Sequence, residues 1–265
     1  RAHGLRVLRQ DPASRRVVLS GTVAQFNTAF GVQLQRFEQQ DGAVLRHFRQ
    51  HAGAVQLPDA LQGVVTAVLG LDDQAKAAPH FRLGPPLGPD YRPARASAQS
   101  FTPLQLAQLY RFPPGDGKGQ CIGLIELGGG YLASDLAAYF AQLGVPAPQV
   151  VAVSVDGAQP DAGGDPNGPD GEVTLDIEIA GALAPAATLA VYFAPNSEAG
   201  FADAISQALH DKTHQPSVLS ISWGAPEARW SAQALGALDD ALQTAVALGV
   251  TVCAAAGDSG SGDGM

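Results

Sequence analysis

The chain has 265 residues, 46% hydrophobic and 15% charged, which is typical of a globular protein with a sizeable core and room for two domains. Its net charge of -9 disfavours nucleic acid as a partner, and its apolar runs are too interrupted to span a membrane. Residues 1–95 carry 12 Lys and Arg against 7 Asp and Glu, whereas residues 96–265 carry 4 against 18. We therefore expect a basic N-terminal module to pack on an acidic body.

Residues 1–78 predict a small α+β unit. Two strand patterns, LRVLRQ and RRVVLSG, precede a helix whose N-cap is Thr22, and a hairpin follows with Asp41 and Gly42 at its turn. Residues 57–71 predict a helix followed by a strand. From Asp72 the pattern dissolves, and residues 79–100 are rich in Pro, Arg and Gly, so we expect an extended, exposed linker there.

Residues 101–265 alternate between strand and helix patterns, which predicts a doubly wound parallel sheet with helices on both faces. The predicted strands are QCIGLIEL, VVAVSV, TLAVYFA, SVLSISW and VTVCAAAG. Cys121 and Cys253 each lie inside one of these strands, so we expect two buried free thiols rather than a disulfide.

The segment from Gly168 to Pro185 places Glu172 and Asp176 four positions apart among apolar residues. Its apolar alternation would fit a strand, but its length, its alanines and Asp170 as a plausible N-cap favour a buried helix. On a helix the two carboxyl groups share one face. Burying two like charges is costly unless they share a proton or face a cleft, so the pair is a candidate site; a solvated helix face is the alternative.

Three further motifs are less specific. The glycines of residues 128–130 lie between a strand and a helix, as in a nucleotide-binding loop, but lack the GxGxxG spacing, so a tight turn is the alternative. HDKTH, residues 210–214, imitates a zinc-binding HExxH motif but lies where a helix ends, with no apparent third ligand. GDSGSG, residues 257–262, imitates a serine-nucleophile motif of β-barrel enzymes, and we interpret it here as a loop that holds Asp258.

Ligands of a parallel sheet bind at the carboxyl ends of its strands, where Glu126, Trp223 and Asp258 all fall. With this placement, long sequence blocks resemble the sedolisin (serine-carboxyl peptidase) family over nearly the whole chain. The blocks are FTPLQLAQLYRFP, CIGLIELGGGY, DGEVTLDIEIAGALAP, VLSISWGAPE and VCAAAGDSGSGDG.

The resemblance implies an α/β fold with a subtilisin-like doubly wound parallel sheet, preceded by a small α+β, ferredoxin-like prodomain. Residues 1–78 would be the N-terminally incomplete prodomain, 79–100 the activation linker and 101–265 the N-terminal part of the catalytic domain. The resemblance also implies that Glu172 is the general base for a serine and that Asp176 orients it. Asp258, a third acid, would complete the oxyanion hole. Glu126 and Trp223 would form an outer hydrogen-bond pair. Ser222 and Gly224 would belong to the strand that pairs with the substrate backbone.

We therefore expect a secreted, acid-acting endopeptidase in zymogen form, with peptide substrates and its own prodomain docked on it. The serine nucleophile and the calcium site of the family belong to blocks beyond residue 265, so we expect this chain alone to be inactive and a C-terminal fragment to be a further candidate partner. The alternatives are a nucleotide-binding domain that uses Gly128–Gly130, or a degenerate homologue that only binds. The charge asymmetry suggests that acid weakens prodomain docking and permits linker cleavage.

Overall fold

The computed structural model of the chain describes residues 3–41, 44–79 and 101–257. Its N-terminal unit is α+β, as predicted, and contains two separate antiparallel strand pairs and one helix in the described residues. In chain order the elements are β1 (Arg6–Asp11), β2 (Arg16–Ser20), α1 (Val23–Phe30), β3 (Gln33–Asp41) and β4 (Val44–Ala52).

Helix α1 begins and ends where local chemistry dictates. The Thr22 hydroxyl accepts the backbone N–H of Gln25, whose side chain accepts the N–H of Thr22, so the predicted N-cap is confirmed as a capping box. Gly31, at φ 64°, ends the helix in the left-handed conformation that glycine adopts most easily. The helix buries Ala29 and Phe30 in a small apolar core of this unit.

The helix and strand predicted for residues 57–71 are wrong. The structure has only a short 3-10 turn, Asp59–Leu61, a further turn at residues 62–64, and then irregular chain up to residue 71. Gly63, at φ 72°, redirects the chain directly after the turn. The apolar side chains of residues 57–71 therefore do not share one buried face. Val64 is 76% exposed, whereas Leu71 is buried in the core of the N-terminal unit.

The body begins after the short strand β5 (Ala78–Pro79) and has the predicted alternation of strands and helices. Each strand pattern named from the sequence forms a strand of the central sheet. The elements are α2 (Pro103–Leu109), β6 (Cys121–Glu126), α3 (Ala133–Leu143), β7 (Gln149–Ser154), α4 (Pro169–Leu183), β8 (Thr188–Phe193), α5 (Glu198–Leu209), β9 (Val218–Ile221), β10 (Trp223–Gly224), α6 (Ala232–Leu248) and β11 (Thr251–Ala254).

The central sheet has the strand order β11-β9-β6-β8-β7, and all its pairs are parallel. Helices α5 and α6 cover one face, and α3 and α4 cover the other, so each face has its own buried apolar cluster. This confirms the doubly wound sheet. The carboxyl ends of its central strands lie together, and they carry the residues of the candidate site.

The two cysteines differ in exposure. Cys121 is buried at the start of the central strand β6, and burial raises the pKa of its thiol. Cys253 is exposed, so the prediction of a buried thiol is wrong there. It lies on β11, which pairs only with β9 among the described residues and therefore lies at the edge of the sheet.

The N-terminal unit docks on the body through charge, in the sense that the sequence predicts. Arg16 of β2 contacts Asp156 at 3.1 Å and Asp203 at 2.5 Å, and Arg9 of β1 contacts Asp156 at 3.2 Å. The backbone N–H of Val68 also donates to the side chain of a glutamine on α6 at 2.7 Å. Within the described ranges, no helix is both long enough and apolar enough to cross a membrane.

Candidate active site

Helix α4 presents two acidic side chains to the interior, and the helical prediction for this segment is confirmed. Glu172 and Asp176 lie one turn apart on the face that also buries Val173 and Ile177 against the sheet. Glu172 is only 3% exposed. The alternative of a solvated helix face is therefore wrong, and a carboxyl group in this position requires compensating partners.

A third acid of this site, Glu126, lies at the end of β6. Glu126, the last residue of that strand, is fully buried, and its Oε2 accepts the indole N–H of Trp223 at 2.8 Å. On α4, Asp176 Oδ1 accepts the hydroxyl of Ser222 at 2.9 Å. Two neighbouring residues of the β9–β10 segment thus each donate to a different acid, which links three segments that are distant in the sequence.

Glu126 and Asp176 also affect each other's pKa. Glu126 Oε1 and Asp176 Oδ2 are both buried, and neither has a hydrogen-bond partner in the described ranges. Burial and the charge of Asp176 raise the pKa of Glu126 well above its usual range, although the Trp223 hydrogen bond lowers it. The raised pKa favours the protonated form of Glu126 in the folded protein.

The strand β10 holds an extended piece of the same chain. Trp223 pairs antiparallel with Pro79, and Gly224 pairs with Ala78, so β5 lies beside the buried acids. We call residues Asp72–Pro79 the strap. It leads away from the N-terminal unit, and Ala77 is buried in the cluster that contains Trp223. The predicted peptide-pairing role of Gly224 thus has a geometric counterpart, because this strand accepts an extended peptide here.

Asn196 is a site residue that sequence reasoning missed. It lies between β8 and α5, and its side-chain oxygen accepts the backbone N–H groups of Lys76 at 3.1 Å and Ala77 at 3.0 Å. Its amide group donates to the carbonyl of Ala77 at 2.7 Å. The loop sequence FAPNSE carries no motif that predicts this contact. A polar residue in the loop that follows a central parallel strand is the one available signal.

The glycine loop of residues 128–130 packs on the start of α4 rather than on open space. A Cβ on Gly129, whose φ is 68°, would lie 2.5 Å from the carbonyl carbon of Pro169. The N–H of Gly130 donates to Asp170 Oδ1 at 2.9 Å, and two further backbone N–H groups, of residues 164 and 165, donate to Oδ2. Asp170 is therefore not the N-cap, which is Gly168. Its carboxylate takes the loop N–H groups that a phosphate would need, which argues against a nucleotide-binding site at these glycines.

The HDKTH motif forms a structural network. Tyr192 donates its hydroxyl to Asp211 Oδ2 at 2.8 Å, and His214 Nδ1 lies 2.6 Å from the same oxygen, while His210 Nδ1 contacts the Ser206 carbonyl. No group of three or more His, Cys, Asp or Glu able to hold a metal occurs in the described ranges. The predicted oxyanion residue Asp258 lies outside the described residues.

Comparison with known proteins agrees with this geometry. Residues 1–74 match the family described as the Pro-kumamolisin activation domain. Over 266 residues, 99% of the chain and 48% of the relative, the sequence is 54% identical to kumamolisin of Bacillus sp. (strain MN-32). It is 28% identical over 288 residues to tripeptidyl-peptidase sed5 of Aspergillus fumigatus, again covering 99% of the chain and 48% of the relative.

A solved structure is similar as well. Pseudomonas sedolisin, a serine-carboxyl proteinase complexed with two molecules of pseudo-iodotyrostatin, superposes with a TM-score of 0.52 at 25% identity, covering 60% of this chain and 45% of that one. The chain spans about half the length of the curated relatives it matches. An activation-domain match ahead of a body that follows kumamolisin throughout shows that this chain belongs to the sedolisin family.

Proposed function

We propose that the complete protein is an acid-acting serine-carboxyl endopeptidase that is made as a zymogen. Residues 1–78 are its prodomain, 79–100 its activation linker and 101–265 the first part of its catalytic domain. The observation that supports this most directly is the linked set of buried acids on β6 and α4, covered by a strap that pairs with β10.

In this proposal Glu172 is the general base and Asp176 orients it. A histidine with a pKa of ~6.5 is protonated in acid and cannot accept a proton, whereas a glutamate near ~4.3 still can. Burial raises the pKa of Asp176, although the hydrogen bond from Ser222 and the neighbouring Glu126 lower it, so its charge depends on both neighbours. Glu126 and Trp223 form the outer pair that keeps Asp176 in place.

The remaining parts lie outside the described residues. Asp258, when protonated, would donate a hydrogen bond to the oxyanion that forms on the scissile carbonyl, which an ionised carboxylate cannot do. The attacking serine and the calcium ion of the family would belong to the part of the protein that corresponds to the second half of its relatives. The described residues do not fit a calcium site, and no step is assigned to that ion. Secretion is part of the same proposal.

In this proposal the zymogen arrangement keeps the intact protein from digesting itself at neutral pH. The strap lies on the strand that would receive a substrate, and Arg9 and Arg16 hold the prodomain on acids of the body. Acid reduces the negative charge of the body, so docking weakens and the linker becomes cleavable. A prodomain affinity for the mature enzyme that stayed constant between pH 7 and pH 4 would exclude this mechanism.

The activity itself is tested with the complete protein. Hydrolysis of unstructured peptides between pH 3 and pH 5 is expected for the wild type and is expected to be lost in Glu172→Ala and Asp258→Ala. Hydrolysis that survived both substitutions would exclude the catalytic roles proposed for Glu172 and Asp258. Binding of peptides without hydrolysis by the wild type would favour the degenerate homologue.

A further inference from the structure

The strap is bound just before β5, at Lys76 and Ala77, by residues to which no role has been assigned so far. Asn196 takes three hydrogen bonds with the main chain of Lys76 and Ala77. Lys76 itself is a buried lysine, only 9% exposed, and its ammonium group lies 2.9 Å from Asp72 and 4.0 Å from Glu198 Oε1. A lysine is rarely buried unless acids surround it. We call the surface of the body that the strap covers the groove, and its end beside Glu198 is suited to bind a cation.

Asn196 and Glu198 belong to the body. Asn196 lies in the loop before α5, and Glu198 is the first residue of that helix. Ser197 between them caps α5 by accepting the N–H of Gly200, and a Cβ on Gly200 would lie 2.0 Å from the carbonyl oxygen of Pro195, so the loop is closely packed. Glu198, 7% exposed, is held by the N–H and hydroxyl of Ser231, at 2.7 and 2.8 Å. Its carboxylate therefore stays in place when the strap leaves.

The direction of the strap relates this end of the groove to the catalytic acids. The chain runs from Lys76, beside Glu198, to Pro79, which pairs with Trp223, the residue that is bonded to Glu126. An extended peptide that followed the strap would therefore reach the catalytic acids with its carboxyl end and leave its amino end at Asn196. The contacts of Asn196 are to main-chain atoms and accept any sequence, whereas Glu198 contacts a side chain.

We propose that Asn196 and Glu198 form a distal substrate subsite on the amino side of the bond to be cut. Asn196 binds the substrate main chain, and Glu198 selects a lysine or arginine at the position that Lys76 occupies. This inference rests on the proposed peptidase function. In the zymogen Asp72 shares the ammonium group, but Asp72 belongs to the strap, so Glu198 is the acid that remains for a substrate.

The first test varies only the peptide and needs no protein variant. The substrate is the chain's own sequence 74–84, QAKAAPHFRLG, with Lys, Arg, Ala or Glu at the position of Lys76, and kcat/KM is measured with the activated complete protein at one fixed pH. We expect Lys and Arg to be equal within about twofold, Ala to be about threefold to tenfold poorer, and Glu poorer still by about tenfold. Ala or Glu peptides as good as the Lys peptide would overturn the subsite.

The second test assigns the effect to residues. Glu198→Gln should bring the Lys and Ala peptides within about twofold of each other, whereas Asp240→Asn, a change of an exposed acid on α6, should leave the preference intact. Asn196→Ala should remove the gain, about tenfold, that a peptide starting at residue 74 has over one starting at residue 78. An unchanged gain would exclude the main-chain contact.

A binding measurement separates this inference from the proposed function. The fluorescently labelled peptide 74–79, QAKAAP, has its affinity measured by anisotropy for protein whose prodomain has been removed by limited proteolysis of the linker. If no peptide is hydrolysed, the proposed function fails, and the anisotropy series with Lys, Ala and Glu still decides the subsite. If peptides are hydrolysed but bind without regard to this position, only the subsite fails.

Discussion

Replacing Glu126 by glutamine tests whether the buried network holds a proton. Glutamine has the shape of the protonated acid, so it can accept from Trp223 as Glu126 does, and it carries no charge beside Asp176. Burial and the nearby acids raise the pKa of Glu126 in the folded protein above its unfolded value of about 4.3. The stability that the protonated side chain provides is therefore complete below pH ~4 and is lost as the pH rises through the folded pKa.

The expected magnitude follows from one proton. Between the two pKa values the unfolded chain has released a proton that the folded chain retains, so the free energy of unfolding falls by about 1.4 kcal/mol per pH unit. Glutamine releases no proton. The free energy of unfolding of Glu126→Gln should therefore gain on the wild type by up to about 1.4 kcal/mol for each pH unit between the unfolded and the folded pKa.

The assay is urea unfolding of the complete protein, followed by tryptophan fluorescence, with Glu172→Gln in both proteins to prevent self-digestion. Trp223 belongs to the hydrogen-bond network, so the fluorescence of Trp223 reports the loss of that network directly. Glu227→Gln, at an exposed glutamate, is the matched control and should run parallel to the wild type across pH. A parallel profile for Glu126→Gln would show that Glu126 is ionised in the folded protein and would refute the assignment of the proton.

Three further outcomes are expected. Arg16→Met removes the contacts of Arg16 with Asp156 and Asp203, whose side chains are 25% and 18% exposed. The loss should weaken docking by about 1–3 kcal/mol and speed zymogen activation at fixed pH at least about fivefold, while Arg6→Met on exposed β1 should not; equal rates would contradict the docking role. Gly129→Ala should lower the melting temperature more than Gly144→Ala, because both have φ near 70° but only Gly129 would clash. Burial raises the pKa of Asp211, but hydrogen bonds outweigh this and lower it, so Asp211→Asn should cost more stability at pH 6 than at pH 3, measured by urea midpoints.

Features with a local cause were predictable from the sequence. Caps, periodicity and strand–helix alternation locate the capping box at Thr22, the helix that carries Glu172 and Asp176, and the parallel sheet. Each of these depends on residues within a few positions of one another. The family resemblance added the grouping of these acids with Glu126 and Trp223, and their hydrogen bonds follow that grouping.

Features that depend on distant contacts were not predictable. Asp170 looks like a helix cap but binds a glycine loop 40 positions away. The strap resembles the start of a linker, yet it is ordered because Asn196, 119 positions later, accepts its backbone. Residues 57–71 have a helix and a strand pattern, but Val68 donates to a glutamine of α6 and Leu71 packs in the core of the N-terminal unit. Cys253 is exposed because its strand lies at an edge. In each case the deciding partner is chosen by the fold, and no local pattern encodes it.

The two separate contacts of the N-terminal unit make it a bivalent ligand of the body. The arginines of β1 and β2 bind one surface, and the strap binds the groove at another. Because one chain carries both, each contact holds the other at an effective concentration of the order of millimolar, so neither needs to be strong alone. A groove that binds the strap weakly is then an advantage, since once the linker is cut and the arginine contacts are lost, the strap competes at its bulk concentration with every other extended peptide.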